Sequence, residues 1–111
     1  MVAYFTIKFK MLENLVAVEL KRRGKEVYYY KANDREVDFV VKKEKYVEEL
    51  IQSSYNITEY GVKEREIQAL LKASKELKCK NLTVITWDYE DEQKIKNKKI
   101  VFKPLWKWLL V

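Results

Sequence analysis

Between Glu26 and Tyr55, three runs rich in β-branched and aromatic residues follow one another with only short polar turns between them, and a segment of helical period flanks the block on each side. That succession constrains the fold more than any single residue. Strands that follow one another through tight turns pair as an antiparallel meander, whereas a strand reached through a helix joins its sheet by a crossover. The first run, Glu26 to Lys31, is tyrosine-rich; Ala32-Asn33-Asp34-Arg35 supplies turn chemistry; Glu36 to Lys42 forms the second arm of a hairpin, and Val47 to Tyr55 the third strand.

Upstream, Leu12, Leu15, Val16 and Leu20 fall at helical spacing from Met11 to Arg23, and Gly24 provides the left-handed stop favoured just past a helix. Lys21, Arg22 and Arg23 in the last turn complement the helix dipole. Downstream, Ile67, Leu70, Leu71, Ser74 and Leu77 mark a second amphipathic helix over about Val62 to Lys78. Leu82 to Trp87 is a short apolar run that fits a strand covered on both faces, placed for a parallel crossover onto the third strand. Gln93 to Phe102, with Asn97 between lysines, reads as a hairpin, and Pro104 opens a short helix through Leu110. At the N-terminus Ala3, Phe5, Ile7 and Phe9 alternate with polar or aromatic neighbours and predict an additional strand. The expected molecule is a single α/β domain over residues 1–111: an extra strand in 1–10, a core in 11–87 ordered helix, three strands, helix, strand, and a hairpin with a C-terminal helix in 88–111. Its mixed sheet is flanked by helices.

Composition removes several functions. With 111 residues the chain can bury one modest core. No stretch approaches the roughly 20 consecutive apolar residues of a membrane span, and the N-terminus lacks a secretory leader pattern, so a cytoplasmic protein without membrane contact is expected. Histidine is absent and Cys79 is the single cysteine, which leaves no internal disulfide, Cys/His zinc cluster or histidine-based triad. Any metal site must use oxygen ligands, which suit magnesium or manganese. Gly24 and Gly61 are too isolated for a phosphate-binding loop. A net charge of +6 suits a polyanionic partner; abundant lysine and glutamate with few glycines and prolines also describe a thermophile surface of ion-pair networks.

Three polar residues occupy otherwise apolar elements: Glu13 on the first helix, Asp38 within Val37-Asp38-Phe39-Val40-Val41, and Gln52 within Leu50-Ile51-Gln52-Ser53-Ser54. A carboxylate inside a central strand is costly to desolvate unless paired, hydrogen-bonded or bound to a cation. Asp38 thus reads equally as a relic of a site and as a structural pair; Gln52 reads as a satisfied buried amide before a ligand, and Glu13 as a helix carboxylate before a metal ligand.

These residues resemble the motif positions of PD-(D/E)xK nucleases, in which an acid on the first helix, an acid on the second core strand and a (D/E)xK pair on the third hold divalent cations and a hydrolytic water. The resemblance implies a restriction-endonuclease-like fold, Glu13, Asp38 and Gln52 as metal ligands, and magnesium or manganese as cofactor if the site is active. It breaks at the third motif, where Gln52-Ser53-Ser54 has serine for lysine and loses the cation that balances developing negative charge. More closely, the chain resembles the C-terminal, DUF4143-type region of archaeal ATPases of the AAA family. The residues behind this are Glu13-Asn14-Leu15-Val16, Glu19-Leu20-Lys21-Arg22-Arg23-Gly24, Glu26-Val27-Tyr28-Tyr29-Tyr30, the Glu36-to-Val41 run, Leu70 to Leu77, Ile85-Thr86-Trp87-Asp88 and Pro104 to Leu110, with no match over the first ten residues.

The function expected on this basis is a catalytically degenerate nuclease-like module that binds nucleic acid or a protein such as an ATPase. One alternative is a metal-dependent DNA endonuclease with Asp38, Gln52 and Lys72 as catalytic residues. There Lys72 or Arg65 replaces the lost lysine from the helix-two stripe Arg65, Gln68, Lys72, which otherwise reads as a solvated basic face. A second alternative is a structural domain that forms a homodimer by edge pairing of the Ala3-to-Phe9 strand. Trp106 and Trp108 read as caps on the core before a docking surface, and Cys79 as structural.

Overall fold

The computed structural model describes the backbone of residues 2–111 and the side chains of residues 8–111. Helix α1 (Val2–Arg22) leads into a meander of β1 (Glu26–Ala32), β2 (Arg35–Lys43) and β3 (Tyr46–Ser54). Helix α2 (Val62–Leu77) follows, then β4 (Leu82–Thr86), a hairpin of β5 (Asp91–Ile95) and β6 (Lys98–Pro104), and the short helix α3 (Leu105–Trp108). One six-stranded sheet results, in the order β1-β2-β3-β4-β6-β5. β1, β2 and β3 pair antiparallel, β4 joins β3 in parallel through the α2 crossover, β6 lies parallel to β4, and β5 closes the far edge antiparallel to β6. The mixed sheet flanked by helices, and the parallel crossover onto the third strand, are as the periodicity required.

The two sheet faces have separate cores. On one, Ile67, Leu70 and Ala73 of α2 pack with Val37, Leu50, Val84 and Phe102. On the other, Leu12, Val16 and Leu20 of α1 and Leu105 and Trp108 of α3 cover Phe39, Ile51 and Ile85. Successive strand residues point to opposite faces, so β2 and β4, whose residues enter both clusters, are buried from both sides. Trp108 caps the second core as expected and lies under the Arg23 guanidinium, 4.5 Å from its ring centre, whereas Trp106 is exposed. Cys79 is buried, its thiol pushed up in pKa by burial. No described helix is long and apolar enough to cross a membrane.

One element departs from the sequence reading. Ala3 to Phe9 is the first half of α1 and not a strand. A strand there would need a turn before the helix at Met11, and Lys10-Met11-Leu12 contains no glycine, proline, asparagine or aspartate to make one. With nothing to interrupt it the helix runs on toward the N-terminus, and the dimer built on edge pairing of that segment loses its strand.

Candidate functional site

The antiparallel ladder of β2 and β3 ends at the pair Phe39 and Ile51. Beyond it, toward the N-terminal end of β2 and the C-terminal end of β3, the strands part, and side chains take over the hydrogen bonds that the backbones no longer exchange. Gln52, 2% exposed, fills the gap: its Oε1 accepts from the Asp38 backbone N–H at 2.9 Å, and its Nε2 donates to the Glu36 carbonyl at 2.8 Å. Asp38 replies from the other strand, its Oδ2 accepting from the Ser53 backbone N–H at 2.8 Å and the Ser53 hydroxyl at 3.1 Å. The crossed bonds hold open a cleft that a continuous ladder would close.

A cavity of about 380 Å³ occupies that cleft, with Glu13, Asp38, Gln52, Arg65 and Glu66 in its wall. Glu13 arrives from α1 on one side of the sheet and Glu66 from α2 on the other. The carboxyls oppose one another. Burial pushes the Asp38 pKa up against the two Ser53 bonds that lower it. Partial burial, and then the Asp38 charge, raise Glu13. Glu66 is pushed up to about 7, first by burial and then by Asp38, while Arg65 pulls it down with its Nε 3.6 Å from Glu66 Oε1. Desolvation and a neighbouring like charge both favour the neutral acid, so the cavity carries more carboxylate than its cations balance.

The structure therefore brings Glu13, Asp38 and Gln52 to one place. Both ends of the Gln52 amide are hydrogen-bonded to β2. Ser54, where the third motif would carry lysine, is buried at 5% exposure. Lys72 lies outside the cavity wall, beside Glu76 at 3.6 Å in a separate groove. Of the basic helix-two stripe, Arg65 alone reaches the cavity. Lys72 lies two helical turns from Arg65, about 10 Å along the helix axis.

Glu66 is the residue that sequence reasoning missed. Its signal lay in the other stripe of α2, where Val62, Glu66, Ala69 and Ala73 recur at helical steps and the three apolar members are buried. A carboxylate in an inward stripe is as costly as one in a central strand.

No protein-family model matches the chain, and no solved structure matches it. It is similar to an uncharacterized protein of Methanocaldococcus jannaschii, 43% identical over 113 aligned positions that take in 93% of this chain and 25% of that protein. The chain spans about a quarter of the length of the curated relative it matches.

Proposed function

We propose that this chain is a nuclease-like domain that has lost hydrolytic chemistry and serves as a nucleic-acid-binding module, related to the C-terminal domains of archaeal ATPases. The element order, the divergence of β2 and β3, and the arrival of Glu13 and Asp38 at that divergence support a restriction-endonuclease-like ancestry. The observation that carries the loss of chemistry is the state of the third motif. Gln52 acts as a backbone clamp with no free amide end, and buried Ser54 offers no cation to orient a water or balance a developing charge. Arg65 supplies positive charge at the rim of the cavity. The net charge of +6 fits a polyanionic partner.

The test is a cleavage assay on supercoiled, branched and single-stranded DNA with magnesium or manganese, run beside Asp38→Ala, with binding measured at two salt concentrations. Binding that weakens with salt, without cutting, is the expected result. Metal-dependent cutting abolished in Asp38→Ala overturns the degenerate reading in favour of an endonuclease using Arg65. Absence of both binding and cutting overturns the nucleic-acid reading and leaves a protein partner.

A further inference from the structure

Several surface cations of this protein pair with an acidic neighbour. Lys25 pairs with Glu48, Lys31 with Glu36, Lys63 with Asp91, Lys99 with Glu92 and Lys107 with Glu90. One groove gathers cations with no acid in its lining. This groove, of about 350 Å³ beside α2, is lined by Arg35, Lys72, Lys75, Lys96 and Lys98, and the rest of its lining is uncharged. Lys72 shares a loose ion pair with Glu76, while Arg35, Lys75, Lys96 and Lys98 make none among the described residues. Like charges gathered without counter-charges repel one another in the free protein. An arrangement of this kind gains stability when an anion with several charges arrives.

The cations come from three separate parts of the chain: the start of β2, the second half of α2, and the β5–β6 turn. The turn is tight. Lys96 and Asn97 both have positive φ, 51° and 66°, the pattern of a two-residue hairpin connection that usually calls for asparagine or glycine. The turn fixes the backbone from which Lys96 and Lys98 project, so binding orders their side chains alone.

We infer that this groove is a phosphate-backbone track for duplex nucleic acid, deepening the module reading on which it rests. The lining contains no aromatic ring. Single-strand binders rely on aromatic platforms on which bases stack, and a groove of lysines and one arginine offers charge to phosphates alone. Binding is then insensitive to sequence and steeply dependent on salt. Arg35 lines both this groove and the acidic cavity, so a backbone held along the track passes beside the cavity.

The experiment measures the affinity of the 111-residue chain for a mixed-sequence DNA duplex and for a single strand of the same length, by fluorescence anisotropy over a salt series. Lys75→Gln/Lys98→Gln removes two charges from the track; Lys21→Glu, on α1 across the sheet, makes the same change in net charge elsewhere. The expected result is duplex binding that weakens by about tenfold or more in the double variant, its salt slope falling by about 2, one for each phosphate no longer neutralised, with Lys21→Glu close to the unsubstituted chain. An equal loss in both variants, or a preference for the single strand that the double variant leaves unchanged, overturns the track while leaving the nucleic-acid module standing. Absence of binding to either probe by the unsubstituted chain overturns the module reading and the track together.

Discussion

Two acidic sites on α1, one in its last turn and one at its middle, show opposite balances of charge. Near the helix C-terminus the buried Glu19 accepts from Arg22 Nε at 2.9 Å, Arg22 Nη2 at 2.7 Å and Arg23 Nε at 2.7 Å. Arg23 goes on to donate to the Trp108 carbonyl at 2.9 Å, tying α1 to α3. Two guanidiniums serve one carboxylate, and their hydrogen bonds hold its pKa down to about 2. At the middle of the helix Glu13 lines a cavity with Asp38 and Glu66; the mostly exposed Arg65 is in ion-pair range of Glu66, Lys10 lowers Glu13 by less than burial and Asp38 raise it, and all three pKa values move up. The difference teaches what burial of an acid signifies. Where cations outnumber carboxylates the acid is part of the scaffold; where carboxylates outnumber cations the fold holds a charge imbalance that a proton or a positive group relieves.

The comparison depends on the cleft being held open, and its clamp is the place to break it hardest. Replacing Gln52 with leucine keeps the volume but leaves the Asp38 N–H and the Glu36 carbonyl without partners, at a cost of about 2–4 kcal/mol of stability in urea unfolding. A loss below about 1 kcal/mol would mean that water replaces the amide easily and that the cleft does not need it. Next in size is Glu66→Gln. The folded pKa of Glu66, about 7, lies above its ordinary value of 4.5. Below 4.5 both folded and unfolded chains hold the proton. As pH rises from there toward 7 the unfolded chain releases it first, so Glu66 subtracts stability progressively across that window. The variant removes this dependence. It is expected to match the unsubstituted protein near pH 4 and to exceed it above pH 7 by on the order of 3 kcal/mol, read from unfolding curves across pH. A gap that stays constant with pH would remove Glu66 from the unbalanced cluster.

Much of this architecture was legible because local signals agreed with one another. The meander was written in three apolar runs separated by turn residues, with Asn33 at positive φ where the β1–β2 turn requires it. The α1 stop was written in Gly24, at φ 73°. The N-terminal segment misled because alternation over Ala3 to Phe9 satisfies a period of two without supplying the turn that would separate a strand from the helix. In the site, Glu13, Asp38 and Gln52 stood out as polar groups on apolar elements, and all three line the cavity. Lys72 stood out for a different reason, membership of an exposed stripe, and spacing along a stripe says nothing about which turn of a helix reaches a cleft. Glu66 was hidden because its neighbours Arg65 and Gln68 drew the reading toward the charged face. The clamp was hidden too: that the Gln52 amide would replace ladder bonds follows from the parting of two strands, which no one-dimensional pattern records.

The two smaller effects sharpen the comparison from its other side. Glu19 titrates in the folded state well below its ordinary 4.5, so its contribution is fully present above that pH and is lost as pH falls toward 2. Glu19→Gln should lower the melting temperature at neutral pH, by less than the clamp variant does because Arg22 is largely exposed and screened. The gap should then close toward pH 2, the reverse of the Glu66→Gln pattern, in which the gap opens as pH rises. Two variants of the same chemical kind with opposite pH signatures would separate scaffold acid from unbalanced acid without any knowledge of a ligand. The smallest change is at Arg65, the cation that partly offsets Glu66. Its side chain is 64% exposed, so Arg65→Gln should alter stability by no more than about 0.5 kcal/mol. It should still move the Glu66 titration, followed by carboxyl carbon chemical shift, further above its present midpoint. A midpoint that stays in place would mean that burial and Asp38 alone set the Glu66 proton affinity, leaving the cavity acids with no effective counter-charge on α2.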